Sequence, residues 1–178
     1  MSEQHGIRLG HVGLYVTDVP KMVDFYTRVL GFVVTDAADN MSLTFLSRNA
    51  QDHHQIVLVA GRAPGVQETV QQVSFNVGSI EAVQKVFSRI VDSEAYDLNP
   101  VTHGIAFSVY FRDPEGNRLE MFADSDWYTT QPCRIPIDLT RPAADLKREA
   151  EEYCRAQKGF KLLKDWQAEF ARNMATDH

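Results

Sequence analysis

His11-Val-Gly-Leu-Tyr-Val-Thr-Asp-Val-Pro-Lys-Met-Val-Asp-Phe-Tyr26 is followed, 61 residues on, by a second stretch of the same pattern, Gln72-Val-Ser-Phe-Asn-Val-Gly-Ser-Ile-Glu-Ala-Val-Gln-Lys-Val-Phe87. Val16 matches Val77, Asp18 matches Ser79, Val19 matches Ile80, Met22 matches Val83 and Tyr26 matches Phe87. A pattern repeated at this spacing means one supersecondary unit used twice. Each copy opens with alternation: residues 12, 14 and 16, and again 73, 75 and 77, are apolar, which is the period of a strand. The other set (His11, Gly13, Tyr15 and Gln72, Ser74, Asn76) must face water or a ligand. Asp18 and Ser79 then stand at helix N-cap positions. Apolar residues resume at helical spacing through Val19, Met22, Val23, Tyr26, Val29 and Leu30, with Gly31 placed to end the helix. In the second copy they are Ile80, Val83, Val86, Phe87 and Ile90.

Three strands are expected after each helix. In the first copy they fall near residues 32–35, 41–47 and 54–60; in the second, near 95–98, 105–112 and 118–123, the last two joined by the turn Asp113-Pro-Glu-Gly-Asn117. The predicted fold class is therefore α+β, two β-α-β-β-β modules over residues 8–62 and 69–125 with a linker at 61–68. Residues 126–178 form a C-terminal helical extension, one helix from Thr140 to about Gln157 and a second carrying Phe160, Leu163, Trp166 and Phe170. That tail either packs on its own domain or supplies a dimer contact or a cover for the site.

A chain of 178 residues suits one compact domain or two small modules. The net charge of −6 argues against nucleic acid or an anionic membrane as partner, though it leaves an anionic small molecule open. Cys133 and Cys154 are expected to be reduced thiols rather than a disulfide or a zinc site. The N-terminal residues carry no apolar signal-peptide core, and no run is long enough to span a bilayer, so the expected location is cytoplasmic.

With His opening the first strand and Glu in the last, the repeat resembles the vicinal oxygen chelate superfamily: glyoxalase I, bleomycin-resistance proteins and type I extradiol dioxygenases. The most specific stretch is His103-Gly-Ile-Ala-Phe-Ser-Val-Tyr-Phe-Arg-Asp-Pro-Glu-Gly-Asn-Arg-Leu-Glu120, in which Tyr110 and Glu120 stand ten residues apart, as at the end of a ring-cleaving dioxygenase catalytic domain. The pair His53-His54 and the tail from Asp124-Ser-Asp-Trp-Tyr128 also resemble biphenyl-diol and catechol dioxygenase-like proteins.

The resemblance implies one divalent metal held by His11, Gln72 and Glu120 in a cup formed by the two modules. Fe(II) is the metal it implies first, with Mn(II) or another divalent ion as alternatives. Gln72 is the departure, a neutral amide where the ring-cleaving relatives carry a second His; some glyoxalases resemble this chain in using Gln. An amide oxygen weakens the ligand field and should lower metal affinity. His54 is the candidate for acid-base work, because an imidazole titrates near neutrality. Tyr110 and His103 are candidates for steadying substrate oxygens, and Ser74, Asn76 and Tyr15 for shaping the pocket. Each has a plain alternative: a strand histidine at 11, a Glu120–Arg118 ion pair, a half-buried β tyrosine at 110.

The function implied is an extradiol-type ring-cleavage dioxygenase acting on a small catecholic aromatic compound with O₂, in a homodimer. The alternatives are a glyoxalase-like isomerase or lyase, and a non-catalytic protein that binds a small aromatic compound.

Overall fold

The computed structural model describes residues 9–63, 65 and 70–176. The chain divides into two compact units, Met1–Thr69 and Val70–His178.

The first unit runs β1 (Val12–Val16), α1 (Val19–Asp24), a π-helical turn (Phe25–Val29), β2 (Val33–Ala37), β3 (Leu43–Ser47) and β4 (Ile56–Ala60). Its sheet has the order β1-β4-β3-β2, with β1 parallel to β4 from Val12↔Ile56 to Val16↔Ala60. Alternation along β1 places Leu14 and Val16 inside and leaves His11, Gly13 and Tyr15 exposed. Asp18 caps α1, its carboxylate accepting from the Lys21 N–H at 3.0 Å. The expected continuous α-helix instead widens after Asp24. Leu30 N–H donates to the Phe25 carbonyl and Phe32 N–H to the Tyr26 carbonyl. The wider turn buries the sequence neighbours Phe25 and Tyr26 together, and Gly31 ends it at φ 77°.

The second unit repeats the arrangement: β5 (Val73–Asn76), α2 (Ile80–Val91), β6 (Tyr96–Thr102), β7 (Ala106–Arg112) and β8 (Arg118–Asp124). The order β6-β7-β8-β5, with β5 parallel to β8, is the order β2-β3-β4-β1 of the first unit. Ser79 caps α2 by accepting from the Ala82 N–H at 3.2 Å. The buried stripe Ile80, Val83, Val86 and Ile90 belongs to a helix lying against β7 and β8, whose Phe107, Val109, Phe111, Leu119, Met121 and Ala123 are buried. The other face of β7 and β8 carries Ser108, Tyr110, Arg112, Arg118, Glu120 and Phe122.

Strand β6 is longer than expected from residues 95–98. A register shift between Tyr96 and Asn99, with Asp97 at φ 55°, lets it continue through Pro100, an arrangement of residues that strands disfavour.

Beyond β8 come β9 (Trp127–Tyr128), β10 (Ile135–Pro136), α3 (Ala143–Arg155), β11 (Lys161–Leu162) and α4 (Leu163–Thr176). The three short strands were not expected. β10 extends the sheet edge at β6, and β11 pairs with β9. Helix α3 begins after Pro142 rather than at Thr140 and buries Leu146, Ala150 and Cys154 at four-residue spacing. Lys147 reaches Glu81 on α2 at 2.9 Å, and the Gln84 amide donates to the Leu139 and Arg141 carbonyls at 2.9 and 2.7 Å. This part of the tail therefore packs on the second unit. Among the described residues no helix is long and apolar enough to cross a membrane.

Candidate functional site

Of the six sequence-predicted residues, the first unit holds His11 and His54 and the second Gln72, His103, Tyr110 and Glu120. In the first, the parallel pairing of β1 with β4 draws the loop before β4 alongside the start of β1: Val12 N–H donates to the Gln55 carbonyl at 3.1 Å. His54, in that loop rather than in the strand, thereby lies with its ring centroid 4.3 Å from that of His11. His53 and His54 approach through their Nδ1 atoms at 2.9 Å, and the Phe45 ring lies 5.1 Å from His54 and 5.9 Å from His53. A contact between two Nδ1 atoms has room for one proton, so a neutral ring is favoured. Desolvation, reinforced by His11 and then His53, holds the His54 imidazole below its usual pKa, so at neutral pH it is an uncharged base. His53 is the exposed member of the pair, 4.0 Å from Asp36.

In the second unit, the registers Ser74↔Glu120, Glu120↔Tyr110 and Tyr110↔Asn99 make one row across β5, β8, β7 and β6. Glu120 is 7% exposed. Its Oε2 accepts from Ser74 Oγ at 2.6 Å and from Gln72 Nε2 at 3.0 Å, and Gln72 Nε2 also donates to Ser74 Oγ at 2.9 Å. The Gln72 amide thus faces Glu120 with its nitrogen. Among the described residues Glu120 has no cationic partner. Arg118 does not take up the alternative ion pair; its guanidinium lies over the Tyr110 ring, 4.7 Å from the centroid.

His103 stands in the β6–β7 connection. Its Nδ1 is 2.7 Å from the Cys133 carbonyl oxygen and its Nε2 is 2.9 Å from the Tyr110 hydroxyl. A carbonyl only accepts, so Nδ1 carries the hydrogen. In the neutral ring Nε2 then accepts from the Tyr110 O–H. Burial, together with the Glu120 carboxylate, pushes the Tyr110 phenol up to about 12, so it remains protonated at any working pH.

The sequence reading missed two contributors. Arg134, in a segment assigned no structure beforehand, lies over the Tyr110 ring at 5.2 Å, and Ser74 bonds Glu120 directly rather than only lining a pocket. Nothing in the pattern of residues 124–139 marks Arg134. The β5–β8 pairing, by contrast, puts Ser74 opposite Glu120 once the repeat is accepted.

Two β-α-β-β-β units of identical strand order, with His at the head of the first and a buried Glu in the last strand of the second, define a class. The family model for the glyoxalase/bleomycin resistance protein/dioxygenase superfamily matches residues 8–121, and the chain belongs to that superfamily. It is 27% identical over 124 residues to a biphenyl-2,3-diol 1,2-dioxygenase of Rhodococcus globerulus, a match covering 66% of this chain and 64% of that protein. The chain thus spans less than two thirds of that relative's length. It is 25% identical over 139 residues to lactoylglutathione lyase of Escherichia coli O157:H7, covering 67% of this chain and 95% of the lyase. Among solved structures, the fosfomycin resistance protein FosX of Listeria monocytogenes, complexed with Mn(II) and sulfate, aligns with a TM-score of 0.53 at 19% identity, over 68% of this chain and 91% of FosX.

Among the described residues no three His, Cys, Asp or Glu side chains converge to hold a metal. The donor set implied by the family instead mixes an imidazole, a carboxylate and an amide. The second unit's share of it fits a cation: a buried carboxylate answered only by neutral groups is costly unless a positive charge joins it.

Proposed function

We propose that this protein is a divalent-metal-dependent, extradiol-type ring-cleavage dioxygenase for a small catecholic compound, with O₂ as co-substrate. The observation that carries the reading is Glu120, buried and hydrogen-bonded to Ser74 and Gln72 with no cationic partner among the described residues. In the proposal His11, Gln72 and Glu120 hold the metal, Fe(II) first or Mn(II). For Gln72 to offer its amide oxygen, the side-chain amide must turn over from its present bond to Glu120. If it does not turn, it braces the carboxylate. A metal bound there supplies a Lewis-acid centre that gathers two vicinal substrate oxygens and O₂.

The chain's own groups manage the protons. His54, uncharged at neutral pH, takes a proton from the catechol. The Tyr110 O–H, held by His103 Nε2 in the absence of substrate, turns from it to donate to a substrate oxygen. The Cys133 carbonyl fixes the His103 tautomer throughout.

The test is metal content after anaerobic reconstitution with Fe(II) or Mn(II), alongside O₂ uptake with a panel of catechols. Stoichiometric metal and catechol-dependent O₂ consumption with a yellow ring-opened product are expected. Glu120→Ala should lose the metal, and unchanged content would remove Glu120 from the ligand set. Gln72→His should tighten Fe(II) binding.

The 95% coverage of lactoylglutathione lyase favours a second reading, a lyase or isomerase on the same residues. Metal binding without O₂ uptake, with lactoylglutathione formed from methylglyoxal and glutathione, would establish it. That chemistry calls for a carboxylate base near the end of the first unit's last strand, and β4, Ile56–Ala60, carries no carboxylate, which favours the dioxygenase.

A further inference from the structure

One cleft lies wholly within the second unit. It has a volume of about 260 Å³ and is lined by Tyr110, Arg118, Arg134, Arg112, Asp97 and Asn99, together with Phe111. Its charges do not cancel. Arg112 is answered by Asp97 at 3.3 Å. Arg118 and Arg134 are answered by no carboxylate among the described residues; both guanidiniums lie over the Tyr110 ring, at 4.7 and 5.2 Å from its centroid. Two uncompensated positive charges thus share one polar cleft in a chain whose net charge is −6. The nearest acidic row-mate of Arg118 is Glu120, two residues along the same strand face, and it bonds Ser74 and Gln72 instead.

A guanidinium stacked on an aromatic face keeps its N–H fork free at the edge, where a planar oxyanion is bound through two parallel hydrogen bonds. The stack costs little of the charge and fixes the direction of the fork. The position is as informative as the charge. The hydroxyl of the same Tyr110 meets His103, and its register partner is Glu120. The ring is therefore shared: its hydroxyl end belongs to the proposed catalytic row and its face to the two arginines. Arg118 and Glu120 leave the same face of β8 two residues apart, their backbones separated by about 6–7 Å, so the arginines border the row that holds Glu120.

We propose that Arg118 and Arg134, stacked on Tyr110, form an oxyanion subsite that selects a catecholic substrate bearing a carboxylate on or near its ring. This rests on the dioxygenase reading for the diol, but not for the anion. Arg118 and Arg134 are positioning residues for specificity.

The experiment is calorimetric titration of the Mn(II)-reconstituted protein under anaerobic conditions with 3,4-dihydroxybenzoate, catechol, benzoate and phenylphosphonate, followed by O₂ uptake with the two diols on the Fe(II) form. The variants are R118Q, R134Q and, keeping charge without the fork, R118K and R134K. Thermal unfolding of each variant checks that it folds. The expected result is that 3,4-dihydroxybenzoate binds about tenfold or more tightly than catechol, and that each Gln variant weakens 3,4-dihydroxybenzoate about tenfold more than it weakens catechol. Benzoate binding should weaken with added salt and fall in the same variants. Equal affinity for the two diols, or equal losses for both in the variants, would overturn the subsite. Tighter binding of phenylphosphonate than benzoate would overturn the carboxylate and point to a phosphoryl group. If no diol drives O₂ uptake yet benzoate binding still depends on both arginines, the ring-cleavage reading falls and the subsite stands.

Discussion

Gly104 sits beside His103 at φ 73°, and a Cβ added there would lie 2.6 Å from Thr129 Cγ2 and 2.7 Å from Cys154 Sγ. Both the backbone conformation and the space demand glycine. Gly104→Ala should cost about 2–4 kcal/mol, combining the left-handed penalty with overpacking, and a urea unfolding curve will read it. Cys133 Sγ lies near the same point, at 3.8 Å, so the two thiols, far apart in the sequence, flank one glycine. Burial raises both thiol pKa values. The sign follows: a raised value favours the protonated thiol, so this contribution to stability is intact below the unfolded thiol's pKa of about 8.5 and is lost as pH climbs past it. Ellman's reagent at pH 8 should therefore label the native protein slowly and the guanidinium-unfolded protein rapidly; fast native labelling would contradict the buried, protonated state. At this scale the repeat singles out His11 and Gln72, the ten-residue spacing Tyr110 and Glu120, and the His53-His54 pair His54, as candidates. The sequence did not disclose the Cys133 carbonyl that orients His103, because a backbone atom leaves no trace in residue identity.

Elements were legible in proportion to how well local preference agreed with tertiary need. Both N-caps, both apolar helix stripes and the Asp113–Asn117 turn follow from local chemistry, the last with Asp113 Oδ1 accepting from the Glu115 and Asn117 N–H groups. Strand β6 was read short because Asp97, Asn99 and Pro100 argue against a strand; pairing on both sides, with β7 and β10, overrides them. The strands β9, β10 and β11 have two residues each, too few to show alternation. The π-helical turn was read as ordinary helix because periodicity does not register one extra residue in a turn. It is held by its buried neighbours, so Tyr26→Ala should cost about 3–5 kcal/mol by denaturant titration. On α3, Leu146→Ala should cost about 2–4 kcal/mol. Glu81→Gln, which removes an exposed partner of Lys147, should change stability by less than about 1 kcal/mol.

At the scale of the whole molecule, the proposed divalent metal binds the folded chain and not the unfolded one. If so, Mn(II) should raise the thermal midpoint by mass action and EDTA should reverse the rise, with Glu120→Ala abolishing both effects. A midpoint indifferent to Mn(II) in the unsubstituted protein would speak against the proposed metal. The homodimer expected from the tail is a proposal at this scale, to be measured by light scattering; α4 offers the stack Tyr128–Trp166–Phe170, with centroids 5.1 and 5.3 Å apart and Phe170 half exposed.

The parallel pairing of β1 with β4, and of β5 with β8, also governs how the chain is made. In each β-α-β-β-β repeat the strand translated first hydrogen-bonds to the strand translated last. A nascent chain that has emerged as far as Asn49 holds β2 and β3, which can pair with each other, while β1 waits for a partner not yet synthesised. Closing such sequence-distant contacts is the slow part of folding. Each repeat therefore makes this pairing only when its fourth strand leaves the ribosome. Its opening strand, carrying His11 just before it in one unit and Gln72 in the other, passes through synthesis as an unpaired edge.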